Sequence, residues 1–143
     1  DSEYKEAVLG YDPELEKNPG KVFIETLKKV MIYLLLADGV VHDKEVNMAR
    51  YLYHKVTGND LPEDELREEI KNTNPDRKIL LSRLEMIAPI LTDEARKQTM
   101  EVTAGMIYAD GEADRAEMKL FRQIAIALNV TPEMLVQWDI IEG

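Results

Sequence analysis

Apolar residues recur at helical spacing along most of the chain, at intervals of three and four residues. Such a repeat predicts amphipathic helices, whereas strands require an alternation of polar and apolar residues that no segment sustains. We therefore predict seven helices, at residues 21–38, 43–57, 62–72, 75–91, 93–110, 114–129 and 132–138. Residues 1–18 are polar, and we expect at most one short helix there. The pattern predicts an all-α protein, with a single domain over residues 19–143 arranged as a compact helical bundle.

Capping residues and prolines predict several helix boundaries. Asp60, Asn74 and Thr131 each stand one or two residues before a proline, a combination typical of an N-cap followed by the first helical turn. Pro89 lies inside an apolar repeat, where its ring and its missing N–H predict that the helix ends or kinks.

The chain contains an internal repeat that becomes visible after a shift of 72 residues. The segment Ala37-Asp38-Gly39 then coincides with Ala109-Asp110-Gly111, and Glu45 coincides with Glu117. Apolar positions of the flanking helices coincide as well, so each unit consists of a long helix, an Asp-Gly corner and a second helix. We predict two pseudo-symmetric helix-corner-helix repeats, at about residues 20–72 and 92–138.

An Ala-Asp-Gly corner followed by a glutamate seven residues after its aspartate, present twice in an all-helical chain, resembles the TerB family of tellurite resistance proteins. The resemblance covers about residues 20–138. It implies a compact helical bundle, a bacterial tellurite and stress-response context, no known enzymatic activity, and acidic corners that are candidate metal ligands. The chain differs from the family pattern at His42, where a small polar N-cap residue would be expected.

Each corner aspartate, Asp38 or Asp110, continues the apolar stripe of its predicted helix and is expected to face the protein interior. It also stands at the carboxyl end of that helix, where unsatisfied carbonyl groups disfavour an anion by about 0.3–1 kcal/mol. Burial of an unpaired carboxylate costs more, so each aspartate needs a compensating group. The three alternatives are backbone N–H groups of the corner, Arg50 or Arg122 on the following helix, and a bound cation.

The backbone alternative makes the corners purely structural. Asp114 and Glu117 have the spacing of a capping box at the start of a helix. Gly39 and Gly111 would adopt positive φ at the ends of the preceding helices. The corner aspartates would then only accept hydrogen bonds from backbone amides.

The cation alternative makes the corners functional. The second corner places four carboxylates within eight residues, and oxygen ligands of this kind suit calcium or magnesium, although the glycine and glutamate positions of an EF-hand loop are not matched. The first corner, which also contains Asp43, adds an imidazole that suits zinc better. The predicted metal ligands are Asp38, His42 and Glu45 in the first corner and Asp110, Glu112, Asp114 and Glu117 in the second.

The net charge of −10 limits the classes of partner. It disfavours nucleic acid and anionic membrane surfaces, and the longest apolar stretch is too short to span a bilayer. We expect a protein partner, with a homodimer as one option. The chain has no cysteine, which excludes disulfides and thiolate metal sites and agrees with a cytoplasmic location. It begins with Asp1 rather than Met, as a fragment or a processed form would.

Two functional hypotheses remain. The first is a non-enzymatic domain that binds or responds to a divalent metal in a bacterial tellurite or stress-response system. The second is a purely structural interaction module whose acidic surface, including the run at 62–69, recruits a protein partner. We expect no enzyme, because the chain has no nucleophile motif, no glycine-rich phosphate loop and no H-E-x-x-H zinc signature.

Overall fold

A computed structural model of the protein describes residues 18–37, 39–108 and 115–142. These residues form seven α-helices and no strand, so the all-α prediction is confirmed. The helices are α1 (Pro19–Leu36), α2 (Asp43–Thr57), α3 (Glu63–Asn72), α4 (Arg77–Ile87), α5 (Asp93–Ile107), α6 (Arg115–Ala127) and α7 (Pro132–Gln137). The short helix expected before residue 18 lies outside the described residues.

Helix α1 lies at the centre of the bundle because its second half is apolar on every side. Residues 30–35, with the sequence Val-Met-Ile-Tyr-Leu-Leu, are all buried. A helix that is apolar all round needs neighbours all round. Accordingly, α1 packs against α2, α3, α4 and α5, and its contact with α5 is the most extensive between any two described helices.

Helix α5 is the second central element, since it contacts α1, α2 and α6. Its buried face carries small polar side chains: Thr99 and Thr103 donate hydroxyl hydrogen bonds to carbonyl groups one turn earlier, at 2.8 and 2.7 Å. Gly105 lets α2 approach closely, because a Cβ atom there would lie 3.3 Å from Cδ1 of Leu52. Helix α6 then joins α5 to α4.

The prediction that Asn74 caps α4 is wrong. The N-cap is Asp76, whose Oδ1 accepts a hydrogen bond from the N–H of Lys78 at 3.0 Å. An N-cap residue uses its own carbonyl for the first bond within the helix. The carbonyl of Asn74 instead accepts a 2.7 Å hydrogen bond from the Tyr33 hydroxyl, so this residue is bound to α1 and the helix begins later.

The prediction that Asp60 caps α3 is also wrong. The N-cap position is occupied by Pro62, and the helix begins at Glu63. Asp60 points back to the preceding helix, where its Oδ1 lies 3.3 Å from Nδ1 of His54 in the last turn of α2. The Asp60 carboxylate is therefore occupied by its contact with α2 and does not reach the first turn of α3.

Other boundary predictions are confirmed. Thr131 caps α7 by accepting a hydrogen bond from the N–H of Met134 at 3.2 Å. Helix α4 ends at Ile87, two residues before Pro89. Gly39 has φ of +82°, the left-handed conformation expected after a helix end, whereas Gly111 lies outside the described residues.

The bounds of the helices agree with the proposed repeat, because the starts of α2 and α6 are separated by 72 residues. A pseudo-symmetric repeat also requires that the two helix pairs share one relative orientation. That relation stays a prediction, as does the assignment of residues 19–143 to one domain.

Arg96 connects the start of α5 to the end of α6. Its Nη1 donates hydrogen bonds to the carbonyls of Leu128 and Asn129, at 3.0 and 3.2 Å, and its Nη2 donates to Asp93. The last carbonyls of a helix have no partner within the helix, and a cation there is favourable. Arg96 thus closes the carboxyl end of α6, where Asn129 adopts a φ of +59°.

A partly buried polar cluster lies where α1 meets α2 and α3. Nζ of Lys28 is 3.5 Å from Oε2 of Glu69, and the lysine side chain is only 12% exposed. Burial lowers the pKa of Lys28, but the carboxylates of Glu69 and Glu25 outweigh it and the net shift is upward. Burial also raises the pKa of Tyr53, and it does the same for Tyr33, which lies outside this cluster and bonds to Asn74.

The Leu35→Ala substitution tests the central role of α1. Leu35 is fully buried, so loss of its side chain should lower the free energy of unfolding by about 2–5 kcal/mol. The measurement is urea denaturation followed by circular dichroism. Ile126→Ala is the matched control, because Ile126 is 74% exposed and should change stability by less than about 0.5 kcal/mol. Equal effects of the two variants would contradict the assignment of the core.

The Arg96→Ala substitution tests the closure of α6. It leaves two backbone carbonyls without their guanidinium donor and should lower the free energy of unfolding by about 1–3 kcal/mol. Lys119→Ala removes an exposed cation from α6 and should be nearly neutral. A neutral Arg96→Ala variant in the same urea titration would show that these hydrogen bonds contribute nothing.

The polar cluster and Tyr33 together predict a loss of stability at alkaline pH. Lys28, Tyr33 and Tyr53 have raised pKa values in the folded state, so the folded state holds these protons more tightly than the unfolded state. Their contribution is complete below about pH 10 and is lost as the pH rises through the folded-state pKa values.

Urea titrations at increasing pH measure this loss. Tyr53→Phe should make the decrease in the free energy of unfolding above about pH 10 shallower, because one titrating group is removed. Tyr51→Phe, which alters a ring that is 60% exposed, is the control. A free energy of unfolding that rises with pH above about pH 10 would contradict the prediction.

Candidate functional site

The seven predicted metal ligands divide into two groups in the structure. Four of them lie outside the described residues: Asp38, Asp110, Glu112 and Asp114. The other three occupy helix starts, His42 and Glu45 at α2 and Glu117 at α6. The described part of each corner is therefore the beginning of its second helix.

His42 is the N-cap residue of α2, with an extended backbone at φ −92° and ψ 142°. Among the described residues its side chain accepts no capping hydrogen bond, unlike the small polar residues that usually hold this position. Nε2 of the ring instead lies 3.9 Å from Oε1 of Glu45, three residues later. The residue that departs from the family pattern thus places an imidazole beside the corner glutamate.

The environment of Glu45 differs from that of a typical surface glutamate. Its side chain is 23% exposed, and Oε1, the oxygen nearest His42, is shielded from solvent. Zinc binds imidazole nitrogen at about 2.0–2.1 Å and carboxylate oxygen at about 2.0–2.2 Å, so tetrahedral ligands lie about 3.4 Å apart. The pair could therefore hold a cation after a small inward movement, and its nitrogen and oxygen donors suit zinc.

Two ligands alone do not make a metal site, since structural zinc sites use four. Within residues 18–37, 39–108 and 115–142, no three His, Asp or Glu side chains are grouped as metal ligands. A complete site at the first corner would need a further ligand such as Asp38, which lies outside these ranges.

Asp43, also considered at the first corner, is bound to a different partner. Its Oδ1 accepts a 2.7 Å hydrogen bond from Nη2 of Arg67 on α3. Nε of Arg67 donates to Glu63 at 2.8 Å, and hydrogen bonds to Glu63 and Asp43 raise the pKa of Arg67. This exposed pair fixes the first turn of α2 to α3 and leaves Asp43 poorly suited to bind a cation.

The two arginines considered as compensating groups occupy other environments. Nε of Arg50 donates a 2.8 Å hydrogen bond to the carbonyl of Leu61, and Nη1 lies 3.8 Å from Oε1 of Glu63. Arg122 is exposed on α6. Arg50 is therefore directed to the α2–α3 connection, and neutralisation of the corner aspartates by either arginine stays a hypothesis.

Glu117 is the buried carboxylate of the second corner. It lies in the first turn of α6 and is 9% exposed, although glutamate is one of the residues least often buried. The positive end of the helix dipole favours an anion here, which offsets part of the cost of its burial. Glu45 and Glu117, which coincide in the sequence repeat, are thus both withdrawn from solvent.

Two contacts around the corners were not predicted. The Tyr108 hydroxyl at the end of α5 lies 3.3 Å from Sδ of Met118 on α6, and Arg67 reaches Asp43 across 24 residues of sequence. The spacing of Glu63 and Arg67 by four residues on one helix is readable from sequence. The contacts between helices are not, because they depend on how the helices pack.

Two further findings concern the whole chain. In the described residues, no helix combines the length and apolar character needed to cross a bilayer. Comparison with protein families gives a match to the model described as "Tellurite resistance protein TerB", over residues 26–139. No curated protein and no solved structure gives a significant match. The family match spans most of the chain and includes both corners, so the chain belongs to the TerB family.

Proposed function

We propose that this tellurite-resistance-associated domain binds a divalent cation at one or both acidic corners and has no catalytic activity of its own. The observation that carries the proposal is the low exposure of both repeat-related glutamates, 23% for the Glu45 side chain and 9% for Glu117. A carboxylate withdrawn from water is favourable only when positive charge or hydrogen-bond donors surround it. A bound cation would add positive charge beside two carboxylates that are already held at reduced exposure.

The residues that would hold the cation differ between the corners. The second corner would use the carboxylates of Asp110, Glu112, Asp114 and Glu117, which as oxygen donors suit calcium or magnesium. The first corner would use His42 and Glu45 with Asp38, a mixed set that suits zinc. The cation would fix the end of one helix relative to the start of the next.

A cation bound in this way would make the domain responsive to metal in a bacterial stress-response assembly, where we place it in the cytoplasm with a protein partner. Family membership supports the tellurite-resistance context. The absence of cysteine agrees with a reducing compartment.

A second candidate is an interaction module that uses its acidic surface and no metal. Helix α3 favours it, because Asp64, Glu65 and Glu68 are exposed while Leu66 and Ile70 are buried. This amphipathic arrangement presents a row of carboxylates to solvent, which suits a basic protein partner.

Metal titration distinguishes the two candidates. Calcium, magnesium, manganese and zinc are each added to the full chain, and Tm is followed by calorimetry. A cation bound only to the folded state at 100 times its Kd should stabilise by about 2.7 kcal/mol and raise Tm by several degrees. No shift with any of the four ions would contradict the first candidate.

Variants locate the response. The double variant Asp110→Asn with Glu117→Gln should abolish a Tm shift that arises at the second corner. The double variant His42→Ala with Glu45→Gln should abolish a Tm shift that arises at the first corner. His54→Ala with Asp60→Asn is the matched control, because it removes an exposed imidazole and carboxylate at the α2–α3 connection. A response lost equally in the control would place the cation elsewhere.

A further inference from the structure

The contact between Tyr108 and Met118 joins the end of α5 to the start of α6. The Tyr108 hydroxyl donates a hydrogen bond to Sδ of Met118 at 3.3 Å. Tyr108 is 49% exposed, and Met118 is partly buried and packs against the core. A thioether is a weak hydrogen-bond acceptor with a polarisable sulfur. This sulfur therefore takes part in a hydrogen bond between two helical segments at an exposed position.

We propose that Met118 is a redox-sensitive modification site, at which oxidation to the sulfoxide by a peroxide displaces Tyr108 from α6. Methionine oxidation converts a flexible apolar side chain into a polar one and is reversed by methionine sulfoxide reductases. At Met118 the change falls on the atom that receives the interhelical hydrogen bond.

The reaction balances with hydrogen peroxide as the only co-reactant. A lone pair of the Met118 sulfur attacks one peroxide oxygen, so that an S–O bond forms and the O–O bond breaks. The sulfur loses two electrons and the peroxide gains them. The departing hydroxide takes up the proton from the transferred oxygen, which leaves the sulfoxide and one water molecule.

The geometry of the contact determines the consequence. Two oxygen atoms in an O–H···O hydrogen bond lie about 2.7–2.8 Å apart. An oxygen added to the face of the sulfur that Tyr108 occupies has no room within the present 3.3 Å separation, so the tyrosine hydroxyl must move outward. An oxygen added to the opposite face places a polar group against the apolar core contacts of Met118. The first product moves the Tyr108 hydroxyl away from α6, and the second disturbs the packing of Met118 on the core.

Met118 differs from the other six methionines of the chain. Met31, Met100 and Met106 are buried, which shields their sulfur atoms from peroxide. Of the partly exposed ones, Met134 accepts from a backbone N–H at its own helix cap, at 3.5 Å. In the described part of the chain, Met118 is the methionine whose sulfur accepts a hydrogen bond from a side chain at another helix, the Tyr108 hydroxyl at the end of α5.

The experiment uses the full chain with Met48→Leu, Met86→Leu and Met134→Leu, so that Met118 is the accessible methionine. Samples are treated with increasing hydrogen peroxide, the oxidised residue is identified by peptide mass mapping, and Tm is measured. Oxidation at Met118 should be at least about three times faster than at Met100. It should lower Tm by about 3–5 °C and shift the ring signals of labelled Tyr108 in NMR spectra. Treatment with sulfoxide reductases should restore both.

Two variants on this background separate the proposed effect from general oxidative damage. Met118→Leu should abolish the peroxide-dependent change in Tm. Tyr108→Phe keeps the ring and removes the donor, so Met118 should still be oxidised but with a decrease in Tm no more than about half as large. The proposal is overturned if Met100 oxidises as fast as Met118, if Met118→Leu still responds, or if the Tyr108 signals do not move.

Discussion

Six consecutive buried residues of α1, 30–35, require apolar neighbours in every direction, and the arrangement of the other helices follows from this requirement. Helix α5 fills the largest share of that surface, and α2, α3 and α4 cover the rest. Close approach is possible because α5 carries small side chains, with hydroxyl groups bonded to their own helix, and a glycine opposite Leu52. Burial of this apolar surface, worth about 25 cal/mol per Å², stabilises the bundle.

In the sequence, each acidic corner comes directly after one of these two central helices, α1 or α5. The helices that follow the corners, α2 and α6, pack on the bundle in a way that limits the exposure of one glutamate in each first turn, Glu45 in α2 and Glu117 in α6. The helix dipole offsets part of the cost of this low exposure at both positions, since each glutamate lies in a first turn. These two glutamates are the described residues on which our proposal of a cation site rests.

Hydrogen bonds and ion pairs fix the remaining elements to this framework. Arg67 holds α3 to the start of α2, Arg50 holds the connection between them, and Arg96 closes the end of α6. Exposed pairs of this kind contribute little stability each, whereas the partly buried donors to backbone carbonyls matter more. Burial of Leu66 and Ile70 determines which surface of α3 faces the core, and this leaves the acidic side of α3 in solvent.

The sequence by itself determined the helical class, the order of the helices, most of their bounds and the family, because apolar periodicity, prolines and the duplicated Ala-Asp-Gly corner are local signals. The sequence did not identify the N-caps of α3 and α4, for which Asp60 and Asn74 were predicted. Several polar residues stand near each helix start, and which of them caps the helix depends on the other contacts that they make. Only the tertiary structure decided that Asp43 pairs with Arg67, that His42 approaches Glu45, and that Glu117 is buried. These outcomes depend on the packing of helices that are distant in sequence and on the competition of each polar group for partners and water, and local pattern specifies neither.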